Sequence, residues 1–228
     1  MVSKARSLGI ESPLDPVLSL ALGVSDVSVY ELVGAYSAFA NGGTWTKPFY
    51  IQRIEDKNGE VIQDFVPQQK QALSEEDAYL MLHMLQGTLE EQGGTARRLD
   101  YQYQFLKNGN EVGAKTGTTQ NYSDGWFMGV TKDLVAGVWV GGEDRAIHFP
   151  SITHGQGAYM ALPIWGKFMT DVYADDSLGY EKGPFPKPRR ALSVTMDCSK
   201  YGLIDPADTL LQQRIDSLNV DVNEEDIM

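Results

Sequence analysis

Apolar residues recur at Val29, Leu32, Val33, Tyr36 and Ala40, the period of a helix with one buried face. Ser28 stands just ahead of this run and Glu31 three residues later. That is the spacing of a capping box, in which the serine hydroxyl takes the third amide and the glutamate reaches back. Asn41-Gly42-Gly43 ends the helix. The stretch FYIQRIEDKNGEVIQDF changes period and reads as two strands around Lys57-Asn58-Gly59, since Asn-Gly supplies the positive φ angles of a tight hairpin turn. Ser74 and Asp77 then cap a second helix with the stripe Ala78, Met81, Leu82, Leu85 and Leu89, closed by Gly93-Gly94. His83 lies off that stripe and is expected to face solvent.

From residue 111 the period changes again. Val112–Thr118, Gly125–Val130 and Leu134–Gly141 are short apolar runs joined by turns at Asn121–Asp124 and Thr131–Asp133. Neighbouring strands with links this short pair antiparallel. A further helix is expected over Ala158–Val172, followed by the proline-rich connector GPFPKPRR. Helices before and after an antiparallel β-sheet predict an α+β fold. We expect one domain over residues 1–178, then a connector and tail over 179–228.

Charge refines this picture. The chain has 19 Lys and Arg against 31 Asp and Glu in 228 residues, a formal net charge of −12. A nucleic acid needs a cationic face, so nucleic-acid binding is not expected. Residues 191–228 hold eight acidic and two basic residues, the composition of a solvated acidic tail. No apolar run is long enough for a transmembrane helix, and the first residues lack the apolar core of a signal peptide. Cys198 has no intrachain partner. His83, His148 and His154 are too scattered for a zinc signature, so no metal and no cofactor is expected.

The chemistry concentrates in EVGAKTGTTQNYSDGW, residues 111–126. Gly117 has no side chain, which lets another backbone lie against the strand and pair with it. Thr116 and Thr118 offer hydroxyls to a carboxylate. Lys115 attracts the same anion and can help move a proton near a serine nucleophile. The amide of Thr118 can face a developing oxyanion. Strict alternation puts Lys115 with Gly117 on one face and Thr116 with Thr118 on the other, so a shared site requires an edge strand with the lysine curling around it. By chance alone K-T-G turns up in roughly one chain in twenty of this length, so its context must decide.

That context resembles the transpeptidase domain of penicillin-binding proteins, especially the bifunctional class A enzymes, in which K-T-G is one of three active-site motifs. GAKTGTTQNYSDGWFMGVTKDLVAGVWVGGED (113–144) is similar to the family's motif strand and the two that follow. VSVYELVGAYSAFANGGTWTKP (27–48) and HGQGAYMALPIWGKFM (154–169) resemble the preceding helix and turn and the closing helix. His154 falls where the family is usually glycine-rich and reads as local variation. The resemblance implies that Lys115, Thr116, Gly117 and Thr118 bind the D-Ala-D-Ala end of a peptidoglycan stem peptide, or a β-lactam imitating it. Lys115 and Thr118 would take the catalytic roles. Asp124 and Trp126 would hold the adjoining strand and turn.

The family's nucleophile is the serine of S-x-x-K, and an S-x-N motif completes its proton network. No lysine in this chain has a serine three residues before it, and the one S-x-N, Ser217-Leu218-Asn219, falls in the acidic tail. The expectation is therefore the C-terminal part of a longer transpeptidase, inactive alone. Its partner would be the missing part of its own domain, and the membrane anchor and glycosyltransferase domain would lie upstream. The implied location is the outer face of the cytoplasmic membrane. The alternative is a serine-less, non-catalytic module of the same fold that binds peptidoglycan or a protein.

Overall fold

The computed structural model describes residues 1–103 and 109–196. Cys198, Ser217-Leu218-Asn219 and most of the acidic tail lie outside the described residues. A helix α1 (Val2–Ser7) and a 3-10 turn (Leu18–Leu22) lead to α2 (Val29–Ala40). The capping box of α2 forms: Glu31 N–H donates to Ser28 Oγ (3.2 Å) and Ser28 N–H to Glu31 Oε2 (2.9 Å). Glu31 does more than cap. Oε1 also accepts from the amides of Glu11 and Ser12 (both 2.7 Å) and Oε2 from Ser12 Oγ (2.7 Å). One carboxylate thus ties the loop after α1 to the start of α2. Partial burial pushes its pKa up, but the hydrogen bonds from Ser12 and Ser28 outweigh this and hold it down at about 2.

Two small antiparallel ladders follow. β1 (Thr44–Thr46) pairs with β4 (Gln69–Gln71) and encloses the hairpin of β2 (Arg53–Glu55) and β3 (Val61–Asp64). The hairpin is where expected, but its turn is not the tight Asn-Gly form. Only Gly59 takes a positive φ (85°), and Asn58 does not. Asp56 Oδ1 accepts from the amides of Asn58 (2.8 Å) and Glu60 (2.9 Å). Gly59 N–H closes on the Asp56 carbonyl (3.1 Å) and Asp56 N–H on the Glu60 carbonyl (2.8 Å). The result is a longer turn ending in a glycine bulge. The second helix, α3 (Glu75–Glu90), is capped by Ser74 Oγ on the amide of Asp77 (3.0 Å) and buries Ala78, Leu82, Leu85 and Leu89. His83 is exposed, as expected. A short α4 (Arg98–Gln102) completes this half.

The main sheet is antiparallel, in the order β5 (Gly113–Thr118), β6 (Asp124–Val130), β7 (Val135–Gly141). The third helical region appears in pieces: α5 (Ile152–Gly155), α6 (Gly157–Met160) and α7 (Leu162–Ala174). The helix expected over 158–172 is broken at Ala161, and α7 restarts with Pro163, whose missing N–H is harmless in a first turn. α6 and α7 cover one sheet face, where Trp165 lies on Gly129 and donates to the Ala136 carbonyl (3.1 Å). α2 covers the other, with Val33 against Gly137.

Phe127 and Trp165 are fully buried with ring centroids 5.3 Å apart. Such tilted pairs add about 1 kcal/mol beyond their buried area. On the α2 side Leu82 and Val130 pack with Phe185, and Tyr36 stacks edge-on against Phe39 at 5.4 Å. Burial pushes the Tyr36 phenol up to about 12.

Phe185 moves the expected boundary. The first compact unit runs from Met1 to Arg190, past the expected end at residue 178. The reason is physical: Phe185 is buried, its amide donates to Glu111 Oε2 (2.7 Å), and Glu111 N–H donates to the Gly183 carbonyl (3.0 Å). The connector is therefore a strap packed on the domain.

Candidate functional site

Among the described residues β5 is an edge strand, and its two halves differ. Along the first half α3 runs beside the strand: a Cβ on Gly113 would stand 2.9 Å from Leu85 Cβ, and Thr88 Oγ1 donates to the Ala114 carbonyl (3.0 Å). Along Lys115–Thr118, among the described residues, no strand pairs with the outer side. Because Thr88 reaches the Ala114 carbonyl from outside the sheet, that carbonyl points away from β6. Antiparallel alternation then turns the N–H and C=O of Thr116 and Thr118 outward as well.

The side chains follow the alternation expected of them. Lys115 shares a face with Gly117, yet its stem bends round the edge and Nζ donates to the outward Thr116 carbonyl (2.5 Å). Among the described residues no carboxylate pairs with this exposed ammonium. On the other face Thr116 Oγ1 donates to Thr95 Oγ1 (2.8 Å). Thr118 Oγ1 accepts from Gly157 N–H (3.0 Å), which leaves its proton available. Gly117 has a structural reason of its own, because a Cβ there would stand 3.0 Å from Trp126 Cβ across the ladder.

The turn after β5 is rigidly built. Thr119 Oγ1 accepts from the amides of Ser123 (3.1 Å) and Asp124 (2.9 Å). Asp124 accepts from Trp139 Nε1 (2.9 Å) and Ser123 Oγ (2.6 Å). Asp124 therefore holds strand and turn together, and Trp126 faces Trp139 in register. His154 is exposed on α5.

The structure brings Lys115, Thr116, Gly117 and Thr118 together at one open edge. Thr88, Thr95 and Gly157 were not foreseen. Gly157 was the findable one, since a Gly-x-Gly beside a helix start often marks close backbone approach. A Cβ on it would lie 2.4 Å from the carbonyl oxygens of both Gly117 and Trp126.

Residues 10–142 match the family model of the penicillin binding protein transpeptidase domain. The chain belongs to that family. The transpeptidase match takes in α2, α3 and the whole β5–β7 sheet. Over 165 residues the chain is 38% identical to penicillin-binding protein 1A of Aquifex aeolicus, covering 72% of this chain and 21% of the relative. Over 211 residues it is 31% identical to penicillin-binding protein 2D of Bacillus subtilis, covering 81% and 28%. The fold is similar to the crystal structure of penicillin-binding protein 1A from Haemophilus influenzae, with a TM-score of 0.65 at 21% identity over 82% of this chain and 31% of that one. The chain thus spans between about a fifth and three tenths of the length of these curated relatives. No helix of the described residues is long and apolar enough to cross a membrane.

Proposed function

We propose that this chain supplies the K-T-G wall of a peptidoglycan D,D-transpeptidase site, cross-linking stem peptides by acyl transfer in the bacterial cell envelope. The observation that carries this reading is the half-covered edge of β5. Among the described residues no strand covers its free half, whose backbone groups turn outward, and the Lys115 ammonium, folded onto the Thr116 carbonyl, stands at its start with no carboxylate partner. A stem peptide ending in D-Ala-D-Ala adds to this edge as an antiparallel strand. Its terminal carboxylate sits by the Thr116 and Thr118 hydroxyls, with the Lys115 charge nearby. The penultimate carbonyl then lies by the outward Thr118 N–H, one oxyanion donor. A serine attacks that carbon and the terminal D-Ala leaves. β-Lactams, which imitate D-Ala-D-Ala, take the same place and leave the serine acylated.

No lysine in this chain follows a serine at the required spacing. In this reading the chain binds the peptide and does not become acylated. Titrating the 15N-labelled chain with N-acetyl-D-Ala-D-Ala tests the first half. Shifts centred on the Lys115–Thr118 amides are expected, with binding weakened roughly fivefold to tenfold in Lys115→Met. Shifts elsewhere, or an unchanged affinity in that variant, refute it. Intact mass after exposure to benzylpenicillin tests the second half, and a covalent adduct would refute it.

The missing S-x-x-K suits a serine-less binding module equally well. Mixing with a separately produced segment carrying S-x-x-K and S-x-N separates the two readings. Acylation on mixing supports the transpeptidase, and continued silence supports the binding module.

A further inference from the structure

The β2–β3 hairpin buries neither of its faces. Every residue of both strands is exposed, and Tyr50, Ile54, Ile62, Phe65 and Val66 all stand out on it. A two-stranded ladder of this kind is marginal by itself, and exposed apolar side chains gathered in one place mark a contact surface. Among the described residues no strand lies along the outer side of β2.

The ladder decides which backbone groups of β2 are free. The Gln52 carbonyl accepts from Phe65 N–H (2.9 Å), and Asp56 N–H donates to the Glu60 carbonyl (2.8 Å). Residues 52, 54 and 56 therefore turn toward β3, and alternation turns the N–H and C=O of Arg53 and Glu55 outward. The pairing shifts between Ile54 and Glu55, but the residue it skips is Ile62 on β3, so β2 keeps its alternation.

The outward strand reads Arg53-Ile54-Glu55: positive, apolar, negative. That order is complementary to itself when run antiparallel. Two copies of β2 centred on Ile54 put Arg53 of each opposite Glu55 of the other. These are the residues whose backbone groups point outward, so each such pair exchanges both of its backbone hydrogen bonds. Ile54 meets Ile54 at the close, non-hydrogen-bonded position, where side chains pack most tightly. Arg53 already bonds Asp64 Oδ1 (2.8 Å) and Glu55 Oε1 (3.3 Å) in its own chain, which holds its guanidinium on the face where the second Glu55 arrives. β3 has no such order, since Val61-Ile62-Gln63-Asp64 offers a copy of itself one sign of charge only. Charge on an edge strand ordinarily keeps copies apart; on β2 its order brings them together. We propose that β2 is a self-association edge, where two copies of this chain join across a two-fold axis into one sheet ordered β3-β2-β2-β3. This is independent of the reading of β5.

An edge this short makes a weak contact, so the full chain is followed by sedimentation from about 10 μM to about 1 mM, with amide exchange of the 15N-labelled chain read at both ends. A dimer is expected at the upper end, with exchange of the Arg53 and Glu55 amides slowed several-fold there. Glu55→Arg keeps the Arg53–Asp64 pair and sets arginine opposite arginine, while Arg53→Glu sets glutamate opposite glutamate. Each alone is expected to self-associate about tenfold more weakly. Mixed, the two variants should recover the parental affinity, because each then meets the opposite charge. Should Arg53→Glu loosen the hairpin, Glu55→Arg alone still decides, since an undiminished dimer in that variant overturns the proposal. So does a chain that stays monomeric throughout, or a dimer that leaves the Arg53 and Glu55 amides exchanging at the monomer's rate. Failure of the mixture to recover, with both hairpins intact in their amide spectra, overturns it too. Slowed exchange only on adding the segment that carries S-x-x-K and S-x-N would give the hairpin to that segment and end the case for self-association.

Discussion

Replacing Glu31 with glutamine removes one negative charge and little volume, so it isolates the role of the carboxylate. In the folded chain Glu31 accepts from the amides of Glu11, Ser12 and Ser28 and from the hydroxyls of Ser12 and Ser28 at 2.7–2.9 Å. These bonds outweigh desolvation and lower its pKa from 4.5 to about 2. Taken at full value, that difference is worth about 3 kcal/mol of folding stability at neutral pH. Glu31 stands near solvent, and screening reduces the expected figure to about 1–2 kcal/mol. The sign follows from the lowered folded value. The contribution is complete above about pH 4.5 and is lost as pH falls from there toward 2. Urea unfolding followed by tryptophan fluorescence reads the loss directly. Glu31→Gln should lower stability by about 1–2 kcal/mol at pH 7, and the gap between variant and parent should narrow between pH 5 and pH 3. An equal stability at pH 7 would refute the reasoning. So would a gap that stays constant down to pH 3, since that would be a packing effect and not a charge effect.

Two further substitutions test the frame around the site. Gly157→Ala would put a Cβ 2.4 Å from the Gly117 and Trp126 carbonyl oxygens; α6 must then lift off the sheet, at a loss of about 2–4 kcal/mol. A thermal melt within a degree of the parent would show that α6 does not need this contact. Phe185 is 3% exposed against Leu82 and Val130, so Phe185→Ala should cost about 3–5 kcal/mol. Truncation after residue 178 should be at least as damaging, and a truncated chain of parental stability would restore the earlier domain boundary.

Local signals were legible in the sequence, and contacts between distant segments were not. The α2 capping box lies within four residues, Ser28 to Glu31, and formed as read. Strands β5–β7 are joined by short turns that leave no other pairing open. The hairpin at 53–64 was legible as a hairpin, but Asn-Gly did not choose the turn, because the Asp56 carboxylate captured two amides and imposed a longer one. β1 and β4 went unseen. Their pairing, Thr44 with Gln71, joins short polar segments whose burial pattern carries no alternation. The third helix broke at Ala161, between α6 and α7, and its first piece begins at Gly157, pressed on the backbone of β5 and β6, a tertiary contact that helical period does not announce. At the site, Lys115 to Thr118 was legible as a motif. Thr88 and Thr95, which arrange its surroundings, come from the α3–α4 region and had no signal of their own.

The lysine at the free half of β5 answers two physical problems together. An open strand edge invites any extended chain to pair with it, and proteins blunt such edges with charge. α3 protects β5 as far as Ala114, and beyond that point Lys115 stands guard with its ammonium folded back onto the Thr116 carbonyl. An ordinary hydrophobic strand arriving there must displace or desolvate that charge and gains nothing in exchange. A strand that ends in a carboxylate beside Thr116 gains a charge-assisted partner where the other meets a barrier. In the proposed function the edge would therefore discriminate by where the incoming chain stops, and a free carboxylate at the end of the peptide would be the feature it rewards. The same logic orders the affinities expected of the simplest probes. N-acetyl-D-Ala-D-Ala should bind β5 more tightly than its C-terminal amide by roughly fivefold or more, the loss expected for one partly screened charged hydrogen bond. Lys115→Met should bring the two probes close together, mainly by weakening the acid. If the amide binds as well as the acid in the parent chain, the edge is open to strands in general and the lysine is not what selects among them.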